Sequence, residues 1–334
     1  MNRDTYLSAG VDRDAAQAAK ESIIDIASKT LQKEVVGGVG FFGGMYELQG
    51  YNRPVLVSST DSPGTKLRIA NLTGRFDTVG VDLVNHCVND VFVSGAKPIF
   101  FLDYIGVGSL DTKKVEDLVA GAAKACQEVG CSLIGGETAE LPGIYTGNEF
   151  DMAGFAVGVV EKDKIINGSD ILPGDVLLGL VSSGLHTNGY SLARKVFNLE
   201  ADPSVLNGKI GNLDRSLGES LMEPHRCYYP LLEPVLPLIK GMSHITGGGI
   251  PENMPRILPS GLGARFDKST WTVPSIFNLI QETGNVEEAE MFRVFNMGIG
   301  MVLVCDPSKV QDICSLVPEC MIIGEVIAEQ EIII

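Results

Sequence analysis

Short apolar runs that end in glycine or a carboxylate alternate with longer amphipathic stretches along this chain, and that alternation points to an α/β architecture. Residues 14–31 carry Ala15, Ala18, Ala19, Ile23, Ile26 and Leu31 at helical spacing. Pro54-Val55-Leu56-Val57-Ser58-Ser59 reads as a buried strand running into Thr60-Asp61. A buried helix is predicted over 79–94, a strand over 99–102, and a helix over 111–129 with Val115, Leu118, Val119 and Ala122 on one face. Two more strands follow at 132–136 and 152–160. The theme repeats beyond a turn-rich hinge, Asn167-Gly168-Ser169-Asp170 and Pro173-Gly174-Asp175. There the order is strand 176–182, glycine and amide loop 183–190, helix 191–198, then later helix 274–283, strand 297–304 and a closing strand at 331–334. At 334 residues the chain exceeds one compact core, and the hinge divides it into domains 1–168 and 169–334.

Charge narrows the function classes. Lys plus Arg total 26 against 42 Asp plus Glu, a formal net charge of -16. Such a chain repels polyphosphate backbones and anionic membrane surfaces, so neither nucleic acid nor membrane is an expected partner. A phosphate ligand would need local help from backbone N–H groups, a lysine or a metal ion. No apolar stretch approaches the ~18 residues of a membrane span, and Met1-Asn2-Arg3-Asp4 does not begin a signal-peptide pattern. The seven cysteines are odd in number and form no C-x-x-C pair, which argues against a disulfide framework or a zinc ribbon. A soluble cytoplasmic protein with reduced, buried thiols is expected.

Carboxylates recur where apolar elements end: Asp61 after the 54–59 strand, Asp90 after Cys87-Val88-Asn89, Glu137 after Ile134-Gly135-Gly136. Together they suit Mg²⁺, a hard cation that prefers oxygen and bridges phosphates; singly, each reads equally as a cap. Thr60-Asp61-Ser62-Pro63-Gly64-Thr65-Lys66 lacks the G-x-x-x-x-G-K-[ST] spacing of a P-loop, although Lys66 could neutralise a phosphate or simply lie on the surface. Gly37-Gly38-Val39-Gly40-Phe41-Phe42-Gly43-Gly44 fails G-x-G-x-x-G and is either a flap over phosphates or a plain flexible loop. The loop Ser183-Gly184-Leu185-His186-Thr187-Asn188-Gly189-Tyr190-Ser191 opens a helix and could hold an anion, with His186 the general acid–base candidate or an exposed loop residue. Thr246-Gly247-Gly248-Gly249, followed by Asn253, offers a second phosphate nest. His86, beside Cys87 in an apolar helix, reads as a core residue.

In order along the chain, several segments resemble the phosphoribosylformylglycinamidine cyclo-ligases, or AIR synthetases. They are Tyr6-x-x-Ala9-Gly10-Val11-Asp12, Gly80-Val81-Asp82 with Val88-Asn89-Asp90, Phe100-Phe101-Leu102-Asp103-Tyr104, Gly135 to Gly143, Ser182 to Ser191, Thr246 to Gly249, and Gly284-Asn285-Val286-Glu287 with Met291 to Asn296. The resemblance implies ATP-dependent closure of formylglycinamidine ribonucleotide to 5-aminoimidazole ribonucleotide, ADP and phosphate. The formyl oxygen is first phosphorylated; the ribose-bearing nitrogen then attacks and phosphate leaves. It further implies Mg²⁺ on Asp61, Asp90 and Glu137. ATP contacts would come from Lys66, Gly37, Gly38, Gly40, Phe41, Gly43, Thr65, Asn89 and Thr138. His186 and Asn188 would face the reacting centre, with Gly247, Gly248, Gly249 and Asn253 at the substrate phosphate. A homodimer is implied, its N-terminal domains pairing into a shared β-barrel beside an α/β C-terminal domain, and a monovalent cation is left open. Here Ser62-Pro63 stands where the family has Gly-Val, Met297 where it has Cys, and Leu185 where it has Pro. Thiamine monophosphate kinase and selenophosphate synthetase share this ATP-binding architecture; the 284–296 segment argues against the first, and the lack of a cysteine before Cys87 against the second.

Overall fold

The structure, a computed structural model, describes residues 13–334, so the Tyr6–Asp12 motif lies outside the described residues. Strands Val35–Val36 (β1) and Met45–Tyr46 (β2) pair antiparallel at the base of the glycine loop. Pro54–Asp61 (β3), Lys97–Val107 (β4), Ser132–Glu140 (β5) and Phe150–Glu161 (β6) form a four-stranded sheet in the order β3-β6-β4-β5, in which only β4 and β5 run parallel. Val176–Val181 (β7), Gly241–His244 (β8), Gly263–Phe266 (β9), Ile299–Cys305 (β10), Met321–Ile327 (β11) and Ile332–Ile333 (β12) form the second sheet, ordered β12-β9-β11-β7-β10-β8. The chain is a mixed α/β protein of two domains, as the alternating pattern predicts. Strands β8, β9 and β11 escape the sequence pattern, two of them because they are only four residues long.

Helices Asp77–Phe92 and Thr112–Val129 cover one face of the first sheet. The second starts where Asp111 accepts the Lys114 N–H and stops at Gly130, whose φ of 74° a residue with a Cβ resists. Val115, Leu118, Val119 and Ala122 are buried as their spacing predicts. The two helices cross on Gly80 and Gly121: a Cβ on Gly121 would lie 2.0 Å from the Asp77 carbonyl oxygen, and one on Gly80 2.1 Å from that of Leu118. Gly121→Ala is therefore expected to lower stability by about 1–3 kcal/mol through overpacking. Denaturant unfolding reads this directly, and an unchanged midpoint would contradict so close a crossing.

The other face of this sheet is covered at one end, where Tyr46 and Tyr51 pack with Phe100 against the buried Ile99, Val157 and Val159, and open at the other. Strand β3 is the sheet edge and alternates half-buried with exposed residues, where the sequence predicted burial throughout. Val55 and Val57 face the helices, while Leu56, with Tyr104 and Phe155 from β4 and β6, remains exposed. Register across the sheet pairs Asp61 with Gly154, Gly154 with Asp103, and Asp103 with Gly136. Three strand spacings of ~4.8 Å thus place the Asp61 and Glu137 backbones roughly 14 Å apart.

Candidate active site

Four histidines occur in the chain, at 86, 186, 225 and 244, and the fold brings all of them together. His86 comes from helix Asp77–Phe92, His186 from the loop after β7, His225 from the segment between helices Leu217–Leu221 and Tyr229–Leu232, and His244 from the end of β8. His186 stacks on His225 with ring centroids 4.0 Å apart, and His225 Nε2 lies 2.9 Å from His244 Nε2. Two carboxylates close the group on its open side. His244 Nδ1 is 2.8 Å from Asp90 Oδ1, and His86 Nε2 is 3.1 Å from Asp61 Oδ2. Ser59 Oγ donates to Asp90 Oδ2, and the Ser62 N–H to Asp61 Oδ1. Neither carboxylate has a lysine or arginine partner among the described residues; burial opposes ionisation of Asp90, yet the His244 hydrogen bond and the neighbouring His244 and His86 hold its carboxyl below the usual range. Sequence reasoning singled out His186 but missed His225 and His244, because histidines separated by 19 (225 to 244) to 158 (86 to 244) positions leave no spacing rule to detect.

Several expected ligands are committed elsewhere. Lys66 is fully buried: its Nζ donates to Asp82 Oδ1 at 2.8 Å and to the carbonyl oxygens of Glu223 at 2.7 Å and His186 at 3.4 Å. This corrects its placement at ATP phosphates, since the helix that starts at Lys66 turns the side chain into the interior. Burial depresses the Lys66 ammonium pKa and pushes the Asp82 carboxyl up to about 6, the mutual attraction opposing both shifts. Asn89 is also buried; its amide donates to the Arg226 carbonyl and its oxygen accepts the Tyr228 N–H, so it pins the 225–228 segment and is withdrawn as an ATP contact. Asn253 donates to the Gly247 and Gly249 carbonyl oxygens and is 2% exposed, which makes it the brace of the glycine turn in place of a phosphate ligand. His186 is enclosed as well, with Nε2 accepting the Ser183 N–H at 3.1 Å; the loop histidine is not solvent-facing.

The remaining predicted residues fall into two groups. Asp61, Thr65, Asp90, Asn188 and the Gly247–Gly249 turn sit around one opening. Thr65 Oγ1 is 3.1 Å from Ser191 Oγ, and a Cβ on Gly247 would meet Asn188 Oδ1 at 3.0 Å. Beside this opening, a cavity of about 300 Å³ is lined by Ser183, Gly184, Arg215, Ser220 and Ser275. Glu137 and Thr138, on β5, form the second group. The glycine loop with Gly37, Gly38, Gly40, Phe41 and Gly43 abuts that strand, since a Cβ on Gly44 would press on Ile134. Within one chain, then, Glu137 does not share an ion with Asp61 and Asp90, because the strand order β3-β6-β4-β5 intervenes.

Burial holds the His186 and His225 imidazoles well below their usual pKa, with neighbouring cationic groups adding to the effect. The unfolded chain binds these protons below about pH 6.5 and the folded chain does not. Their contribution to stability is accordingly complete above that pH and lost as the pH falls, with a limiting slope of about 2.7 kcal/mol per pH unit for the two groups. Equilibrium unfolding from about pH 7.5 down to 5 measures the slope; a midpoint flat over that range would mean that one or both rings take up a proton in place.

Comparison with known proteins places these features in a family. The family model for the AIR synthase related protein, N-terminal domain, matches residues 46–160, and that for the C-terminal domain matches residues 173–334. A phosphoribosylformylglycinamidine cyclo-ligase of Desulfitobacterium hafniense is 49% identical, covering 98% of this chain and 98% of its own length. One from Geotalea daltonii is 51% identical, covering 97% and 95%. Among solved structures, HypE of E. coli superposes with a TM-score of 0.67 at 15% identity, covering 95% of this chain and 92% of that one. Thiamine-monophosphate kinase from Stenotrophomonas maltophilia gives 0.67 at 14% identity, covering 93% and 95%. At such identities the structural likeness concerns the fold alone.

Proposed function

The chain belongs to the phosphoribosylformylglycinamidine cyclo-ligase family, and from that premise we propose how its two groups of candidate residues divide the work. The activity itself is ATP-dependent ring closure of formylglycinamidine ribonucleotide to 5-aminoimidazole ribonucleotide in purine biosynthesis, a ligase reaction. The observation that carries the site assignment is the presence of the Asp61 and Asp90 carboxylates, without lysine or arginine partners, at the opening where loops 60–66, 183–191 and 246–249 meet. Oxygen donors of this kind fit Mg²⁺, which would screen the charge of the ATP phosphates when bound. Asp61 and Asp90 hold the ion, and the loop N–H groups and hydroxyls orient the phosphates. Asn188, beside Gly247, orients the formyl group, and the Gly247–Gly249 turn lies at the substrate phosphate. His186 acts from beneath by shaping the loop. Positioning of the formyl oxygen against the γ-phosphate, then of the ribose-bearing nitrogen against the formyl carbon, is the chain's main contribution. The 1–168 half carries the metal and ATP groups, and the 169–334 half completes the opening.

The second group reaches the site through a second copy of the chain. Leu56, Tyr104 and Phe155 present an exposed apolar sheet face, which suits pairing of two such sheets across a two-fold into a barrel. In that homodimer the partner subunit's Glu137, Thr138 and glycine loop would approach the Asp61–Asp90 pair and cover the nucleotide. A cytoplasmic setting agrees with both substrates. Subunit complementation tests the arrangement: Asp61→Asn and Glu137→Gln are each expected to be inactive alone. Mixed under exchange conditions, they should regain roughly a quarter of wild-type activity, because half of the dimers carry one intact site of two. No recovery on mixing would contradict a shared site.

A further inference from the structure

Two of the seven thiols face each other in the second domain: Cys314 Sγ lies 3.1 Å from Cys320 Sγ. Cys314 belongs to helix Val310–Leu316 and is half-buried, while Cys320 immediately precedes β11 and is buried. The ring closure uses neither residue. We propose that Cys314 and Cys320 form a redox modification site, a dithiol that closes reversibly to a disulfide when a low-molecular-weight disulfide such as oxidised glutathione reaches Cys314.

Geometry is the first support. A disulfide holds its sulfurs about 2.05 Å apart, so the pair has only about 1 Å left to close. The turn between the two residues is already folded for it. Val317 is fully buried, its N–H donates to the Ile313 carbonyl at 2.8 Å, and the Cys320 N–H donates to the Val317 carbonyl at 3.1 Å. Pro318 fixes the backbone between them. Together these bonds turn the chain back so that residue 320 returns beside residue 314, which gives each thiol a high effective concentration toward the other. Access is the second support, because Cys314 is partly open to solvent. Cys126 and Cys131 are also neighbours, but both are fully buried, as are Cys87 and Cys305, which leaves an oxidant no route to them.

The two thiols have different parts. Burial, with the Cys314 contact adding to it, pushes the Cys320 thiol up to about 12, so Cys320 is not the first to react. The Cys314 thiolate attacks one sulfur of oxidised glutathione, forming a mixed disulfide and expelling one glutathione thiolate. Cys320 then loses its proton and attacks Cys314 Sγ, which expels the second glutathione thiolate. Two protein thiols are oxidised and one glutathione disulfide is reduced to two thiols. Proximity offsets the small thiolate fraction at Cys320. The same turn carries Glu319, whose Oε1 lies 2.5 Å from Arg226 Nη2. Arg226 also donates from Nη1 to the Val181 carbonyl at 3.2 Å, at the end of β7. The redox site therefore adjoins the contacts that hold the segment bearing His225.

The test incubates reduced full-length protein with oxidised glutathione, then alkylates the remaining thiols and maps the peptides by mass spectrometry. The thiol count is expected to fall by two from seven. The map should show a Cys314–Cys320 bridge lighter by two hydrogens, and dithiothreitol should restore both thiols. Cys320→Ser should stop at the mixed disulfide, with one glutathione on Cys314, whereas Cys314→Ser should leave Cys320 unmodified. The wild-type peptide map decides the matter even if a variant misfolds. A glutathione adduct that persists on wild-type Cys314, a bridge from either residue to another cysteine, or both thiols still free after oxidation would overturn the proposal.

Discussion

Lys66→Met is expected to destabilise the protein by about 3–5 kcal/mol, because it strands a buried carboxylate without its counter-charge. Asp82 is fully buried and accepts from both Lys66 Nζ and the His225 N–H, so the pair fastens helices Lys66–Thr73 and Asp77–Phe92 to the segment that carries His225. Burying two ions costs desolvation that their attraction only partly offsets, and removing one partner leaves that cost uncovered. The Lys66→Met, Asp82→Leu double variant should therefore recover much of the lost stability, since neither charge is then buried. Thermal or denaturant unfolding of the single and double variants measures both effects. A Lys66→Met protein as stable as wild type, with weakened ATP binding alone, would restore the lysine to the phosphates.

Asp90→Asn is expected to reduce turnover by roughly 10²–10³-fold or more, the scale on which one electrostatic group at a reacting phosphate counts. Its effect on stability should be small. The side chain is partly exposed at the opening, and an asparagine oxygen keeps one of the two contacts, since Ser59 Oγ reaches Oδ2 and His244 Nδ1 reaches Oδ1. Turnover and melting temperature measured on the same preparation separate the two readings. Near-normal turnover would remove Asp90 from the metal; a large fall in melting temperature would make it a structural acceptor for His244.

Much of the site was legible in the sequence where chemistry follows local pattern. Asp61 and Asp90 were singled out because each lies at the end of an apolar run, and the fold sets both against the histidine cluster. The loop 183–191 was found because glycine and amide residues between a strand and a helix leave N–H groups free. What local pattern cannot state is direction. Lys66 follows a Pro63-Gly64 turn, and nothing in those residue types says that the next helix rotates the lysine inward onto Asp82, 16 positions later. Asn89 and Asn253 were misread for the same reason: an amide that braces a backbone turn and one that touches a ligand look alike in sequence. His186 adopts a φ of 61°, which folds its ring under the loop and onto His225, a contact set by tertiary packing. Strand β3 shows the complementary error, since an apolar run was read as buried although alternate residues, Leu56 among them, are exposed.

Coupled product formation tests the central claim most directly. With Mg²⁺, ATP and formylglycinamidine ribonucleotide, ADP and aminoimidazole should appear in equal amounts, and ADP release should fall to background when the ribonucleotide is omitted. ATP hydrolysis without aminoimidazole, or no turnover at all by well-folded protein, would contradict the cyclo-ligase assignment.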